Sequence, residues 1–350
     1  MNQNINELSI EFLPNDFEFV DSASKQDEQE VYVKLSNFSQ FLNKFKKNKG
    51  SIFGLICIIM IIIMALIGPH LNEYGYNDQT IGHELMAPRI PGLEKLGIFD
   101  GTQVMETSTA RIEINKYEQN PSNQNVYYWF GSDVLGRDIF TRTWEGTRIS
   151  LYIALVAVVV DIIFGMSYGL ISGYFGGKVD MVMQRILEII NGIPNLVIVT
   201  LLIIVLKPGL LSITIAIALT GWIGMSRVAR AQMLKLKNQE FVLAAKTLGA
   251  SPWQLIFKEI LPNIFAQLII MSMFSIPNAI FTEAFLAFIG IGIPMPLASL
   301  GSLISDAFKS FLTAPYMIIP PVLVLALTML SFNLLADGLR DSLDPTMKEV

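Results

Sequence analysis

Long apolar runs are the feature that most constrains the fold of this chain. Runs near the ~20 residues that a membrane-spanning helix needs recur along it. They predict six spans, which cover residues 51–68, 148–173, 186–206, 210–226, 264–289 and 316–336. Only 16% of the residues are charged, which is below the ~25% of soluble domains. We therefore predict an all-α polytopic membrane protein.

The basic residues predict how the spans are oriented. One lysine cluster precedes the first run, and a second basic group lies between the fourth and fifth runs. The positive-inside rule places both groups in the cytoplasm. With six spans, both termini are then cytoplasmic and residues 69–147 lie outside.

This orientation divides the chain into five segments. Residues 1–33 are an acidic cytoplasmic tail, and 34–68 hold an amphipathic helix, or a plain basic flank, and the first span. Residues 69–147 form an external loop or small subdomain, in which the alternation over 111–115 predicts one strand. Residues 148–338 form a five-helix core, and 339–350 form a second cytoplasmic tail.

A polar loop, residues 229–262, interrupts the core. From Glu240 onward its pattern predicts two short helices joined by a tight turn. Gly249 suits the left-handed residue that ends the first helix. Ser251 suits an N-cap with a capping-box partner at Gln254, and Pro262 is expected to end the second helix.

The first of these two helices has a small, smooth face formed by Ala244 and Ala245. Such a face allows close backbone contact with a groove on another protein. An ordinary helical hairpin in a cytoplasmic loop is the alternative.

Two acids lie inside predicted spans. Asp161 falls near the middle of the second span, and Glu283 falls in the outer half of the fifth. Because an intramembrane acid is costly, it usually faces a bundle interior or water. Both are candidate substrate-pathway residues. Alternatively, Asp161 is a protonated or paired acid between helices, and Glu283 is a structural acid at a kinked helix. A further alternative for the whole protein is a proton-coupled carrier that uses both acids.

The residues before the second span predict an ion-pair turn at the membrane surface, formed by Asp133, Arg137 and Asp138. The single cysteine, Cys57, lies in an apolar run and excludes a disulfide framework or a cysteine-based metal site. We find no phosphate-binding loop, no catalytic constellation and no sign of nucleic-acid binding, so neither an enzyme nor a metal site is expected.

Four stretches resemble the permeases of bacterial ATP-binding-cassette importers for oligopeptides and dipeptides, of the "C" type. Residues 240–262 resemble the EAA loop of that family, with Leu243 where the family has Glu and with Glu240 one turn earlier as its candidate substitute. The other stretches are 131–151, 282–292 and 332–345, and Leu300 stands where the family has Trp.

The resemblance implies a type I importer permease fold, with a small external insertion between the first two spans. It implies a bacterial plasma-membrane subunit that imports oligopeptides, with dipeptides, nickel or metallophores as alternative substrates. The implied partners are a homologous permease subunit, two cytoplasmic ATPase subunits that bind the ATP and Mg, and an extracytoplasmic peptide-binding protein. The residues implied to couple to the ATPases are Glu240, Ala244, Ala245, Gly249, Ser251 and Pro262.

Overall fold

The computed structural model describes residues 37–107 and 110–343. The predicted acidic tail 1–33 and residues 344–350 lie outside this part of the chain. The α-helices of four residues or more in this part are Asn37–Lys47, Lys49–Ile67, Lys116–Gln119, Ile139–Val160, Ser167–Phe175, Gly177–Gly192, Asn195–Leu206, Leu210–Gly221, Ile223–Leu236, Glu240–Thr247, Leu261–Leu286, Leu300–Lys309 and Ile319–Leu343.

Among the described residues, five helices are long and apolar enough to cross a membrane, and a bent pair makes a sixth if it is counted as one span. In chain order we call them spans 1 to 6: Lys49–His70, Ile139–Phe175, the pair Gly177–Gly192 and Asn195–Leu206, Leu210–Leu236, Pro252–Ile291 and Pro315–Leu343. This confirms the predicted all-α polytopic class.

Span 2 begins at Ile139 rather than at the predicted Arg148. Asp138 explains the earlier start, because its side chain accepts a hydrogen bond from the Thr141 backbone N–H at 2.7 Å and caps the helix. The helix of span 6 likewise continues past residue 338, to Leu343.

Span 3 is broken rather than gently kinked. Its two helices meet at 79° around Ile193 and Pro194. Proline has no backbone N–H and disfavours the helical conformation of the residue before it, which explains why the first helix ends at Gly192. The predicted kink at Pro194 is confirmed, and the bend is sharp enough to form a corner inside the bundle.

Pro262 does not end a helix, which corrects the prediction. The chain is π-helical over Leu255–Ile260 and continues as an α-helix from Leu261 to Leu286. The Leu261 N–H bonds back to the Ile256 carbonyl, five residues earlier. We infer that the wider π turn accommodates the proline, which has no N–H to donate, so the helix passes through it.

The external segment folds around its own aromatic core. Met86, Tyr117 and Tyr128 are buried together, and Tyr74 stacks on Tyr128 with ring centroids 4.5 Å apart. The sequence predicted one strand, whereas the structure has an antiparallel pair, Thr102–Thr107 with Ala110–Asn115. The segment is therefore a small subdomain, which we call the outer subdomain.

Spans 1 and 6 pack closely because glycines leave room between them. A Cβ added at Gly54 would lie 2.7 Å from the Ser331 carbonyl oxygen on span 6. A Cβ added at Gly50, one turn earlier, would meet only ordinary contacts at 3.4 Å and beyond. Close contacts between helices in lipid rely on small residues of this kind.

The substitution Gly54→Ala is expected to destabilise the protein by about 1–3 kcal/mol, because the backbone of span 6 must move to admit the methyl group. Thermal unfolding in detergent measures the effect. Gly50→Ala is the matched control and should leave the midpoint unchanged or slightly higher. Equal midpoints for the two variants would contradict the packing described here.

Candidate functional site

The polar loop has the local structure that its sequence predicts. A helix covers Glu240–Thr247, and Gly249 follows in the left-handed conformation with φ of +88°. Ser251 then caps the next helical segment, and its side chain and that of Gln254 exchange hydrogen bonds with each other's backbone N–H groups. The two predicted helices, the turn and the capping box are confirmed.

One side of this loop is anchored to the bundle. Val242, Leu255 and Ile256 are buried against Met233 of span 4 and Leu170 of span 2, in one apolar cluster. Ala245 also packs against that cluster. The loop is therefore in direct contact with spans 2 and 4, and it is continuous with span 5.

The loop also has an exposed surface. Its apolar residues are Phe241, Leu243, Ala244 and Leu248, which lie beside the exposed polar Lys246 and Thr247, and we call these four apolar residues the docking face. Leu248 is 89% exposed. Large apolar side chains grouped on a surface commonly mark an interaction site. The structure separates the two alanines, because Ala244 belongs to the docking face and Ala245 packs inward.

Glu240 and Pro262 flank the docking face in different ways. Glu240 occupies the first turn of its helix, is exposed, and makes no ion pair with any described residue. A carboxylate in a first turn is stabilised by the helix dipole. Pro262 lies inside span 5, so it belongs to the helix that leads from the loop into the bundle.

The loop and the outer subdomain lie at opposite ends of the bundle. At the loop end, the Lys237 ammonium donates to the Gly173 carbonyl at 3.0 Å, and Trp253 contacts Phe175. At the other end, the Tyr316 hydroxyl donates to the Ser132 carbonyl at 3.1 Å. These are the loop end and the subdomain end of the bundle.

A polar cavity of about 440 Å³ lies between spans 2, 3, 4 and 5. Such a volume falls within the range of about 300–1,000 Å³ that is usual for ligand sites. The corner of span 3, at Ile193 and Pro194, forms part of its wall. The polar lining residues are Asp161, Asn191, Asn195, Thr220, Arg227, Ser275, Asn278 and Thr282.

The two predicted intramembrane acids occupy different sites. Asp161 lines the cavity and opens a π-helical segment, Asp161–Met166. Glu283 does not line the cavity. It is fully buried and accepts a hydrogen bond from the Ser150 hydroxyl of span 2 at 3.2 Å. Its neighbour Thr282 lines the cavity instead.

Sequence reasoning missed Arg227, Asn278 and Thr282 as lining residues. Arg227 was assigned only to the basic group that orients the chain. The asparagine and the threonine were visible as polar interruptions of apolar runs. Which face of each helix they occupy depends on tertiary packing, so the sequence did not place them at one cavity.

The predicted ion-pair turn at the subdomain end is confirmed for Asp133 and Arg137, whereas Asp138 makes no ion pair with a described residue. The Arg137 Nε atom lies 2.7 Å from the Asp133 carboxylate, and both side chains are buried. Asp138 caps span 2 and also accepts a hydrogen bond from Asn72 at 2.7 Å. This turn fixes the start of span 2 against the outer subdomain, and it contacts neither the cavity nor the loop.

Comparison with protein families shows which family this chain belongs to. A family described as "Binding-protein-dependent transport system inner membrane component" matches residues 165–349. A second, described as "N-terminal TM domain of oligopeptide transport permease C", matches residues 36–88. The chain belongs to the binding-protein-dependent transport permeases. The resemblance drawn from the four sequence stretches is thereby confirmed.

Curated relatives of this permease cover nearly all of it. An oligopeptide transport system permease protein of Bacillus subtilis strain 168 is 39% identical over 94% of this chain and 96% of its own length. A dipeptide transport system permease protein of Lactococcus lactis subsp. cremoris strain MG1363 is 39% identical over 97% of this chain and 100% of its own. These relatives are named as permease subunits of transport systems.

Among solved structures, this permease is similar to the inward-facing MetNI methionine ABC transporter in its CY5 SeMet soak crystal form. The TM-score is 0.48 at 16% identity, over 57% of this chain and 95% of that chain.

The left-handed turn of the loop makes a local prediction. Gly249→Ala should open the turn, because an L-residue at this φ costs about 1–2 kcal/mol although a Cβ there meets no atom within 4 Å. Amide hydrogen exchange over residues 240–254 should become about tenfold faster. Gly192→Ala, which also has open space but no positive φ, is the control. An unchanged exchange rate in Gly249→Ala would contradict the assigned turn.

Proposed function

We propose that this permease is a membrane-spanning subunit of an ATP-driven importer for oligopeptides. It forms half of the translocation pathway and couples to ATPase subunits through residues 240–262. The docking face carries the proposal, because four apolar side chains stand exposed on a loop that is otherwise well anchored. Relatives named as oligopeptide transport permeases support the substrate.

The proposed assembly contains three kinds of partner. A homologous permease subunit completes the pathway, two ATPase subunits bind the docking face at the loop end, and an external peptide-binding protein delivers peptide at the subdomain end. ATP and Mg belong to the ATPase subunits. This arrangement places the loop end and both termini in the cytoplasm of a bacterial cell. The lysine cluster before span 1 supports that orientation, because basic residues favour the cytoplasmic side.

The proposed mechanism is alternating access driven through the loop. A docked partner shifts a conformational equilibrium only if it binds one state more tightly than the other. The ATPase pair therefore has to hold the loop differently when it is closed on ATP and when it is open. Because the inner side of the loop is packed on spans 2 and 4, and because span 5 starts within the loop, this difference reaches the walls of the cavity.

Dipeptides are the second candidate substrate, since relatives named as dipeptide permeases are as similar as those named for oligopeptides. Nickel and metallophores remain alternatives without a supporting observation. A proton-coupled carrier centred on Asp161 and Glu283 is disfavoured, because only Asp161 faces the cavity.

The docking face gives a direct test of coupling. Leu248→Glu should abolish co-purification of the ATPase subunits and ATP-dependent uptake, because the substitution puts a charge into an apolar interface. The permease itself should still insert and unfold normally, since Leu248 is 89% exposed. Pull-down of the ATPase subunits in detergent measures the loss.

Leu312→Glu is the matched control, because Leu312 is 97% exposed near the subdomain end. That variant should retain its ATPase subunits. Retention of the ATPases by Leu248→Glu, or their loss from both variants, would count against the proposed docking face.

A further inference from the structure

Two opposite charges face the same cavity without pairing. Asp161 of span 2 and Arg227 of span 4 both line it. Neither makes an ion pair with any residue in the described part of the chain. By contrast, Asp180 and Arg230, nearer the loop end, are paired at 2.6 Å.

The surroundings of Asp161 are unusual for an unpaired acid. The residue is 2% exposed, and it shares the cavity wall with Ser275 of span 5. It opens a π-helical segment, and such segments are frequent at functional sites. A buried carboxylate in a membrane-spanning segment requires a cation, a proton or water.

Arg227 differs from Asp161 in its exposure. Its side chain is exposed, next to the buried Ser226, on the part of span 4 that leads to the loop. Gly165 of span 2 packs against Trp222 and Met225, and Gly169 packs against Ser226 and Arg230, so Asp161 is level with about residue 220 of span 4. Arg227 then lies roughly 10 Å closer to the loop end than Asp161, from a rise of 1.5 Å per residue.

The wall between the two charges is polar and roomy. Asn191, Asn195 and Asn278 are exposed to the cavity, where amides donate and accept hydrogen bonds. A Cβ added at Gly221 or Gly224, which also line it, would meet no atom within 4 Å. The lining therefore combines amides, which can hydrogen-bond a peptide backbone, with apolar residues such as Ile190, Ile217 and Ile223, which can contact side chains.

We propose that this cavity binds a peptide in transit by its two charged ends, with Asp161 taking the terminal ammonium and Arg227 taking the terminal carboxylate. The inference rests on the proposed peptide importer and specifies its substrate contacts. An extended chain advances ~3.3–3.6 Å per residue, so a tripeptide is about long enough to reach both groups. Recognition of the ends is independent of side chains, which suits a pathway for many sequences.

The test uses the complete transporter, reconstituted in lipid vesicles with its ATPase subunits and binding protein. ATP-dependent uptake is measured for trialanine, N-acetyl-trialanine and trialanine amide. Each variant's uptake is divided by the parent's uptake of the same peptide, so that differences in delivery by the binding protein cancel.

Asp161→Asn should lower uptake of trialanine and its amide at least about tenfold while sparing the acetylated form, which has no ammonium. Arg227→Gln should lower uptake of trialanine and the acetylated form while sparing the amide. Asp161→Glu should keep the parent's pattern, and Thr282→Val, a neutral change in the same wall, should affect all three peptides equally.

An equal loss for all three peptides in both charge variants, or no loss in either, overturns the proposed contacts. If Asp161→Asn fails to assemble with the ATPase subunits, Arg227→Gln decides alone, because its exposed side chain leaves no buried group unpaired when it is removed. Failure of the parent to import any peptide with ATP, or import driven by a pH gradient without ATP, overturns the proposed function itself.

Discussion

The absence of water in a bilayer is the constraint on which this structure depends. Each backbone N–H and C=O at membrane depth has to find a partner within the protein, so the spans are helices and irregular backbone is confined to protected places. The corner of span 3 fits this constraint. Its non-helical residues, Ile193 and Pro194, are exposed and line the cavity, where water can reach the backbone groups that the helix leaves free.

Charged side chains within the bundle also need partners in the protein. Buried ions are tolerated when they are paired and hydrogen-bonded, and the ends of the bundle satisfy this condition. Asp133 with Arg137 fixes the subdomain end, and the bidentate contact of Arg230 with Asp180 joins spans 3 and 4 toward the loop end. Two buried acids of the spans, Asp161 and Glu283, make no ion pair with a described residue, and only Asp161 lies in the cavity wall.

Local rules explain what the sequence predicted well. Apolar run length gave the spans, and residue-level turn chemistry gave Gly249, Ser251 and Gln254 their conformations without any tertiary information. Motif order over four stretches gave the family. Each of these signals is contained in a short stretch of chain.

Tertiary packing explains the rest. Pro262 was expected to end a helix, but a π turn beside it lets the helix continue. The start of span 2 depended on a cap at Asp138, and the first strand of the hairpin depended on its partner. Similarly, Ala244 and Ala245 are equivalent in the sequence, and only the packed loop shows that one faces out and the other in.

The continuity of span 5 through Pro262 has a mechanical consequence. The helix contains 40 residues and is therefore about 60 Å long, roughly twice the ~30 Å thickness of the hydrocarbon core. Its first turns belong to the loop, and its middle carries Ser275, Asn278 and Thr282 on the cavity wall. If a partner tilted the loop end of so long a helix by a few degrees, the residues of span 5 on the cavity wall would be displaced sideways.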